Sequence, residues 1–226
     1  MNWEDECYLL SKRKFRENAN IINVFTPNKG KVSGIVYGGN SRKIRNYLQI
    51  SNKLFILHNS KNDNKIGYFK VELFKAISPN YFSDKQRTSA LISVCSLLNS
   101  LLPESQPYKN IYDSFEEFIK SINLENWIFI YIFLEINLIK ELGFDTNLSI
   151  FDDGNGSIED IKKIKIDNYE YLVPNFLIKK KIPHQFSSKL VKRSLLFTRN
   201  ILLNKFFIPN NLNFPKSRII FENYFN

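Results

Sequence analysis

The sequence of 226 residues is poor in the side chains that build metal and redox centres. It contains two cysteines, Cys7 and Cys95, and no Cys-x-x-Cys pair, so it offers no zinc site of the usual spacing. Two distant cysteines are typical of a protein in a reducing compartment, which favours the cytoplasm. We expect neither a bound metal nor another cofactor.

Catalytic motifs are equally scarce. The two histidines, His58 and His184, have no serine, cysteine or aspartate at a spacing that indicates a catalytic set. No Gly-x-x-x-x-Gly-Lys-Ser/Thr loop for a nucleotide is present either. We therefore expect both histidines to be structural and the protein not to be an enzyme.

Long hydrophobic runs are missing as well. Residues 127–139 form the most apolar stretch, but Glu135 and Asn137 interrupt it and it is too short to cross a bilayer. The first residues, Met-Asn-Trp-Glu-Asp-Glu, are acidic, unlike the basic start of a signal peptide. The sequence predicts no membrane partner.

Basic residues outnumber acidic residues in both terminal parts of the chain. Residues 1–76 carry 14 Lys/Arg against 6 Asp/Glu, residues 77–170 carry 8 against 15, and residues 171–226 carry 10 against 1. A general bias toward lysine would not produce such basic, acidic and basic blocks. The two basic blocks indicate a polyanionic partner, which is most often nucleic acid.

Five short apolar runs, rich in β-branched and aromatic residues and separated by turn residues, predict five strands. They cover residues 7–10, 21–26, 32–37, 50–58 and 66–74. The tightest connection is Pro27-Asn28-Lys29-Gly30, which predicts a hairpin. Consecutive strands without helices between them favour a small closed barrel. A five-stranded barrel of this size is the OB-fold, whose open face commonly binds nucleic acid or oligosaccharide.

The pattern changes after Ser78-Pro79, where we place a domain boundary. Residues 1–78 form the predicted OB-fold domain and residues 79–226 an α-helical domain, so the fold class is α+β. Helices are predicted after an N-cap at Ser83, after Pro107, and over residues 124–142, 187–207 and 216–225. A short irregular or extended insert is expected near residues 145–175. Its Asp-Asp-Gly-Asn-Gly run at 152–156 lacks the spacing of a calcium loop and is typical of a turn.

Basic residues of the first block cluster at the end of the first strand, at the hairpin turn and in a loop that opens with Gly38-Gly39. They are Lys12, Arg13, Lys14, Arg16, Lys29, Lys31, Arg42, Lys43 and Arg45. We expect these groups to bind phosphates without reading base sequence, and a merely solvated surface is the alternative. Tyr47 either stacks on a base or is the first core residue of the next strand.

Residues 25–34, Phe-Thr-Pro-Asn-Lys-Gly-Lys-Val-Ser-Gly, with the following Gly38-Gly39 and Arg42-Lys43, resemble the N-terminal signature of the RecO family of bacterial recombination mediators. Glu141-Leu142-Gly143-Phe144 and residues 198–203, Thr-Arg-Asn-Ile-Leu-Leu, extend the resemblance over nearly the whole chain. It implies an OB-fold followed by a helical domain. Some family members carry a four-cysteine zinc finger after the Glu-Leu-Gly-Phe segment. Residues 145–165 contain no cysteine, so we predict no metal there.

The resemblance also implies partners and a location. It implies binding of single- and double-stranded DNA, annealing of complementary strands, and association with RecR and with the C-terminal tail of single-stranded-DNA-binding protein (SSB). Through these contacts the protein would indirectly help to load RecA, as a cytoplasmic, nucleoid-associated factor.

The second basic block offers a place for the acidic, apolar-ended SSB tail, because a groove with an apolar floor and a cationic rim suits such a peptide. The predicted floor is Leu195, Phe197 and Leu202, and the predicted rim is Arg193 and Arg199. The same block could instead extend the DNA path. Two other functional classes stay open, an OB-fold RNA-binding protein and an adaptor with acidic protein partners.

Overall fold

The structure is a computed structural model that describes residues 2–39, 41–60, 66–144, 147–183 and 187–225. His184 therefore lies outside the described residues. Contacts divide the chain into two compact units, residues 1–112 with 215–221 and residues 113–214 with 222–226. The predicted boundary at residue 78 closely follows the last barrel strand, whereas the division by contacts also groups the next helix with the barrel.

A closed five-stranded barrel forms the centre of the first unit, as predicted. Its strands are β1 (Asn2–Phe15), β2 (Ala19–Thr26), β3 (Gly30–Tyr37), β4 (Lys53–Asn59) and β5 (Gly67–Lys75). They close in the order β1-β2-β3-β5-β4, and every pairing is antiparallel except that of β3 with β5. This confirms the OB-fold expectation, with a first strand much longer than the predicted residues 7–10.

Alternate side chains of the strands fill the barrel. The core comprises Cys7, Leu9, Ile22, Val24, Val36, Leu48, Leu54, Ile56 and Phe69. The pairing of β1 with β2 shifts register between Leu9 and Ser11, and such a bulge lets one long strand follow the curve of a small barrel. At the edge of this core His58 stacks on Trp3, with ring centroids 4.9 Å apart, so that the described histidine takes part in packing.

Two helices follow barrel strands within the first unit. The short helix α1 (Arg42–Tyr47) connects β3 to β4, and Leu48 directly after it is fully buried in the barrel core. Helix α2 (Lys85–Leu101) begins one residue later than predicted, because the carboxylate of Asp84 accepts the backbone N–H of Arg87 at 2.9 Å. Near its other end, Asn99 accepts a hydrogen bond from the Asn23 amide of β2 at 2.7 Å.

The second unit is mainly helical. Its elements are α3 (Lys109–Ser121), within which the unit begins, α4 (Trp127–Glu141), β6 (Ile161–Ile166), β7 (Tyr169–Pro174), α5 (Asn175–Lys179) and α6 (Ser188–Leu202). Helix α7 (Lys216–Glu222) belongs to the first unit except for its last residue. Helix α4 is buried over most of its surface, as its apolar sequence predicts. Its one buried carboxylate, Glu135, accepts hydrogen bonds from the hydroxyls of Tyr131 at 2.8 Å and Thr198 at 2.5 Å.

The insert contains a two-stranded hairpin that the sequence predicted only in part. Both strands, β6 and β7, lie within the insert near residues 145–175 for which we expected irregular or extended structure, and their pairing was not predicted. The turn predicted for residues 152–156 is confirmed: Asp152 and Asp153 accept the backbone N–H groups of Gly154 and Asn155, each at 3.0 Å. Lys162 of β6 binds Asp153 at 2.5 Å and fixes this turn against the hairpin.

Candidate nucleic-acid interface

The first cationic group lies on the second half of β1. Lys12, Arg13 and Lys14 pair with β2 through the strand ladder, and their side chains are exposed. Arg16 follows in a left-handed conformation, with φ of 54°, and its guanidinium carbon lies 5.1 Å from the centroid of the Phe15 ring. Because β1 extends to Phe15, Lys12, Arg13 and Lys14 lie on a hydrogen-bonded strand, and Arg16 directly follows it.

The second cationic group, expected in a loop, instead belongs to helix α1. The hydroxyl of Ser41 caps this helix by accepting the backbone N–H of Ile44 at 3.4 Å, and arginine and lysine are good helix formers. The prediction of a loop at these residues is therefore wrong, because they form a helix. Arg42, Lys43 and Arg45 are exposed side chains of a capped helical turn.

The two glycines before this helix allow a close approach to β2. The backbone N–H of Gly38 donates to the carbonyl of Asn18 at 2.8 Å. A Cβ atom at Gly39 would lie only 2.2 Å from the side-chain nitrogen of Asn20, so a larger residue would require the Asn20 side chain or the turn to move. The glycines thus help to set where α1 begins.

A hydrogen bond joins the two cationic groups. The Lys12 ammonium donates to the carbonyl of Leu48, directly after α1, at 2.6 Å. Burial, and then the nearby charge of Arg45, lower the pKa of Lys12 below its usual value. The end of β1 and helix α1 therefore lie next to each other, and we call the cationic residues of both segments together the basic face. Its members are Lys12, Arg13, Lys14, Arg16, Arg42, Lys43 and Arg45.

The two lysines of the hairpin turn differ in their surroundings. Lys29 is exposed, whereas the ammonium of Lys31 donates to the backbone carbonyl of Asn99 at 2.9 Å, and its burial lowers its pKa. The turn itself fits tightly, because a Cβ at Gly30 would lie 1.8 Å from the carbonyl oxygen of Gln106. Lys31 thus fastens the hairpin to the C-terminal end of α2.

Distance also separates these lysines from the basic face. The hairpin turn lies at one end of β2 and β3, and α1 follows the other end of β3. Strands of 8 residues place the two ends about 23 Å apart at roughly 3.3 Å per residue. The structure therefore brings together seven of the nine predicted cations and leaves Lys29 and Lys31 apart.

The aromatic residue singled out from the sequence, Tyr47, is half-buried against the barrel core, with the Lys43 ammonium 6.0 Å from its ring centroid. The Tyr47 ring therefore packs against the barrel core, so only part of it is exposed for stacking on a base. Sequence reasoning missed two exposed rings, Tyr37 at the end of β3 and Tyr68 on β5, whose centroids lie 6.3 Å apart. Alternation along each strand places them outside the barrel, but only the strand order brings them together.

The second basic block does not form the predicted groove. Leu195, Phe197 and Leu202 are buried, because α6 turns its apolar side into the helical unit, where Phe197 meets Tyr171 edge to face. The expected apolar floor is therefore not exposed in this structure. On the expected rim, Arg193 is half-buried and Arg199 pairs with the carboxylate of Glu222 at 2.9 Å.

An open pocket exists elsewhere in the helical unit. It encloses about 570 Å³ between α3, α4 and α5 and the segments that follow α4 and α5. Its lining is Ser114, Glu117, Ile130, Phe133, Leu134, Ile136, Asn137, Lys140, Asn147, Leu148, Leu177, Lys180 and Ile182. This pocket combines an apolar lining with lysines at its wall. We predicted the same combination from the sequence, but on α6.

The described residues contain neither a metal-binding cluster nor a membrane-spanning helix. Among the residues that the structure describes, no three His, Cys, Asp or Glu side chains gather as a metal site would require. Within the same ranges, no helix has the length and hydrophobicity needed to cross a bilayer.

The closed barrel, helix α1 between its third and fourth strands and the cationic residues beside them place the chain in the class of OB-fold proteins with a basic barrel face. Two family models, Recombination protein O N terminal and Recombination protein O C terminal, match residues 1–77 and 83–150. The chain belongs to the RecO family, as the sequence resemblance indicated.

Relatives named DNA repair protein RecO support this membership. That of Wolbachia sp. subsp. Drosophila simulans (strain wRi) is 34% identical over 151 residues, which is 66% of this chain and 62% of the relative. That of Wolbachia pipientis wMel is 29% identical over 195 residues, which is 84% of this chain and 77% of the relative. That of Rhodospirillum centenum is 31% identical over 144 residues, covering 64% of this chain and 58% of the relative. Two of these alignments thus span less than two thirds of the relative's length.

Proposed function

We propose that this chain is a recombination mediator in DNA repair. It binds single- and double-stranded DNA without sequence specificity, anneals complementary strands, and with RecR helps to load RecA onto SSB-coated DNA. Family membership supports the class of function, since the relatives carry the name DNA repair protein RecO. The proposal involves no bond chemistry.

The observation that carries the proposal is the hydrogen bond from Lys12 to the carbonyl of Leu48. It ties α1 to the end of β1 and so keeps seven cationic side chains near one another, with Lys12 and Arg13 on opposite faces of the strand. Arginine and lysine on such a surface neutralise phosphates, which lowers the repulsion between two strands held close together. Contacts to phosphate carry no sequence information, and a general mediator needs none.

Binding measurements test the DNA contact. Arg42→Glu, Lys43→Glu and Arg45→Glu together should weaken binding of unrelated single-stranded and duplex oligonucleotides at least about tenfold at about 0.15 M salt. A matched control makes the same charge change at exposed lysines of α2, α3 and α7, Lys85, Lys120 and Lys216. Equal losses in both triple variants would contradict the basic face, and a strong preference for RNA would favour an RNA-binding protein.

We place the SSB-tail contact in the open pocket of the helical unit. Phe133 and Leu177 lie on its apolar lining, and Lys140 and Lys180 are exposed at its wall. A peptide with acidic residues and an apolar end matches this combination, although Glu117 in the lining opposes part of the positive charge. The α6 residues predicted for this role lack an exposed floor.

A peptide titration separates the two locations. Lys140→Glu with Lys180→Glu should weaken binding of an SSB-tail peptide at least about fivefold at about 0.15 M salt, measured by fluorescence anisotropy. Arg193→Glu should leave it nearly unchanged. The opposite pattern would return the site to α6, and no binding by the unaltered protein would remove the SSB tail as a direct partner.

A further inference from the structure

The outer surface of the barrel carries an ordered set of apolar and aromatic side chains. Residues that pair across neighbouring strands lie on the same face of a sheet. The register places Arg13, Ile21, Ile35 and Tyr68 in one row across β1, β2, β3 and β5, and Phe15, Ala19 and Tyr37 in the next. We call these seven residues the aromatic strip.

Three aliphatic side chains of the aromatic strip are buried, and its two tyrosines are exposed. Ala19, Ile21 and Ile35 form a small apolar cluster, separate from the barrel core, with Phe15 packed against it. Tyr37 and Tyr68 remain 58% and 41% exposed, with ring centroids 6.3 Å apart and ring planes tilted by 58°. Paired strands therefore hold two neighbouring rings at fixed positions with their surfaces open to solvent.

Cations border these rings. Arg13 belongs to the strip itself, and the Arg16 guanidinium lies over Phe15. On the other side, Tyr37 is followed by Gly38, where a Cβ would lie 3.6 Å from the side chain of Ile44 in α1. The strip therefore adjoins both parts of the basic face. Charge next to exposed aromatic rings matches a ligand with a polyanionic backbone and flat, apolar groups.

We propose that Tyr37 and Tyr68 stack on bases of single-stranded DNA while the basic face holds its phosphates. This inference rests on the proposed function and refines it, by assigning the preference for single strands to two residues. Bases of a duplex are already stacked on each other, so exposed rings add affinity only for unpaired bases. The strip also lies across β2 and β3, the part of an OB-fold that commonly contacts oligonucleotides.

Oligonucleotides with and without bases test the proposal. The probes are a thymidine oligonucleotide and a fully abasic strand of equal length, at about 0.15 M salt. The unaltered protein should bind the thymidine strand at least about tenfold more tightly. Tyr37→Leu with Tyr68→Leu should remove most of this difference, and leave the affinities for the abasic strand and for a duplex unchanged.

Two control variants separate stacking from folding and from general hydrophobic contact. Tyr37→Phe with Tyr68→Phe keeps both rings and should retain the preference for the thymidine strand. Tyr224→Leu removes an exposed tyrosine of the helical unit and should have no effect. The assignment is overturned if the double leucine variant keeps the preference for the thymidine strand, or if Tyr224→Leu reduces this preference equally.

The outcomes distinguish this inference from the function on which it rests. If the unaltered protein binds the thymidine and abasic strands equally, stacking is overturned and phosphate binding stands. If it binds neither strand, the proposed function fails and the inference fails with it. If the leucine variant binds like the unaltered protein but has a smaller mass in solution, the strip joins copies of the chain, which also overturns the proposal.

Discussion

At the residue scale, the lysines of the β2–β3 turn show that equal spacing does not imply equal roles. Lys29 and Lys31 flank Gly30 symmetrically in the sequence. In the structure one is exposed, and the ammonium of the other donates to the Asn99 carbonyl. No local pattern could predict this difference, because the carbonyl belongs to a helix 68 residues away.

Replacing these lysines should separate stability from binding. Lys31→Met should lower the free energy of unfolding by about 1 kcal/mol, since it removes a partly buried hydrogen bond. Lys29→Met removes an exposed charge and should change stability by less than about 0.5 kcal/mol. Urea unfolding followed by circular dichroism measures both values. Equal stability of the two variants would contradict the role given to Lys31.

The two cysteines should be unreactive in the folded protein. Cys7 and Cys95 are fully buried, and burial raises the pKa of both thiols, so little thiolate exists near neutral pH. A colorimetric thiol reagent at pH 8 should modify neither residue until urea unfolds the chain. Rapid modification of either thiol in the native protein would show that its surroundings open.

At the scale of elements, the spacing of apolar residues and the turn residues between them predicted the five strands and the main helices. The remaining elements and the buried side of each helix depend on packing. Helix α1 was missed because six residues provide almost no periodic signal, although Ser41 is a usable cap. Strand β6 was missed because its isoleucines alternate with lysines, which reads as a polar segment without its partner β7. The buried side of α6 was misassigned because periodicity shows an apolar face without showing what covers it.

The β2–β3 turn should tolerate no side chain at its glycine. Gly30→Ala combines a positive φ of 67° with a collision against the Gln106 carbonyl, whereas Gly143→Ala meets only the positive φ of 96°. We expect a loss of about 1–2 kcal/mol for Gly143→Ala from backbone strain. Gly30→Ala should lose at least about 1 kcal/mol more from overpacking. Thermal unfolding compares the two, and equal losses would show that the turn moves freely.

At the scale of the whole molecule, the basic and acidic blocks predicted a polyanionic partner but not the surface that meets it. The first block divides into a basic face and a separate turn, because a closed barrel places opposite ends of a hairpin far apart. The exposed pair of Tyr37 and Tyr68 depends on the parallel pairing of β3 with β5, which sequence order does not show. Family resemblance supplied the class of function, and the barrel supplied the positions.

Salt dependence should report the size of the basic face. If six of its seven cations contact phosphates of a single strand, the logarithm of the binding constant should fall with the logarithm of salt concentration with a slope of about −4. The triple variant at Arg42, Lys43 and Arg45 should have a slope nearer about −2, because it loses three contacts. Titrations from 50 to about 300 mM salt give both slopes, and identical slopes would contradict phosphate contact by α1.

The most direct test of the central claim is annealing of two complementary labelled strands, each coated with SSB, at about 0.15 M salt. The protein should accelerate annealing of the coated strands, and charge reversal at Arg42, Lys43 and Arg45 should abolish this acceleration. Annealing of bare strands alone would support the basic face and contradict the contact with SSB. If the protein accelerates neither reaction, the chain is not an annealing mediator.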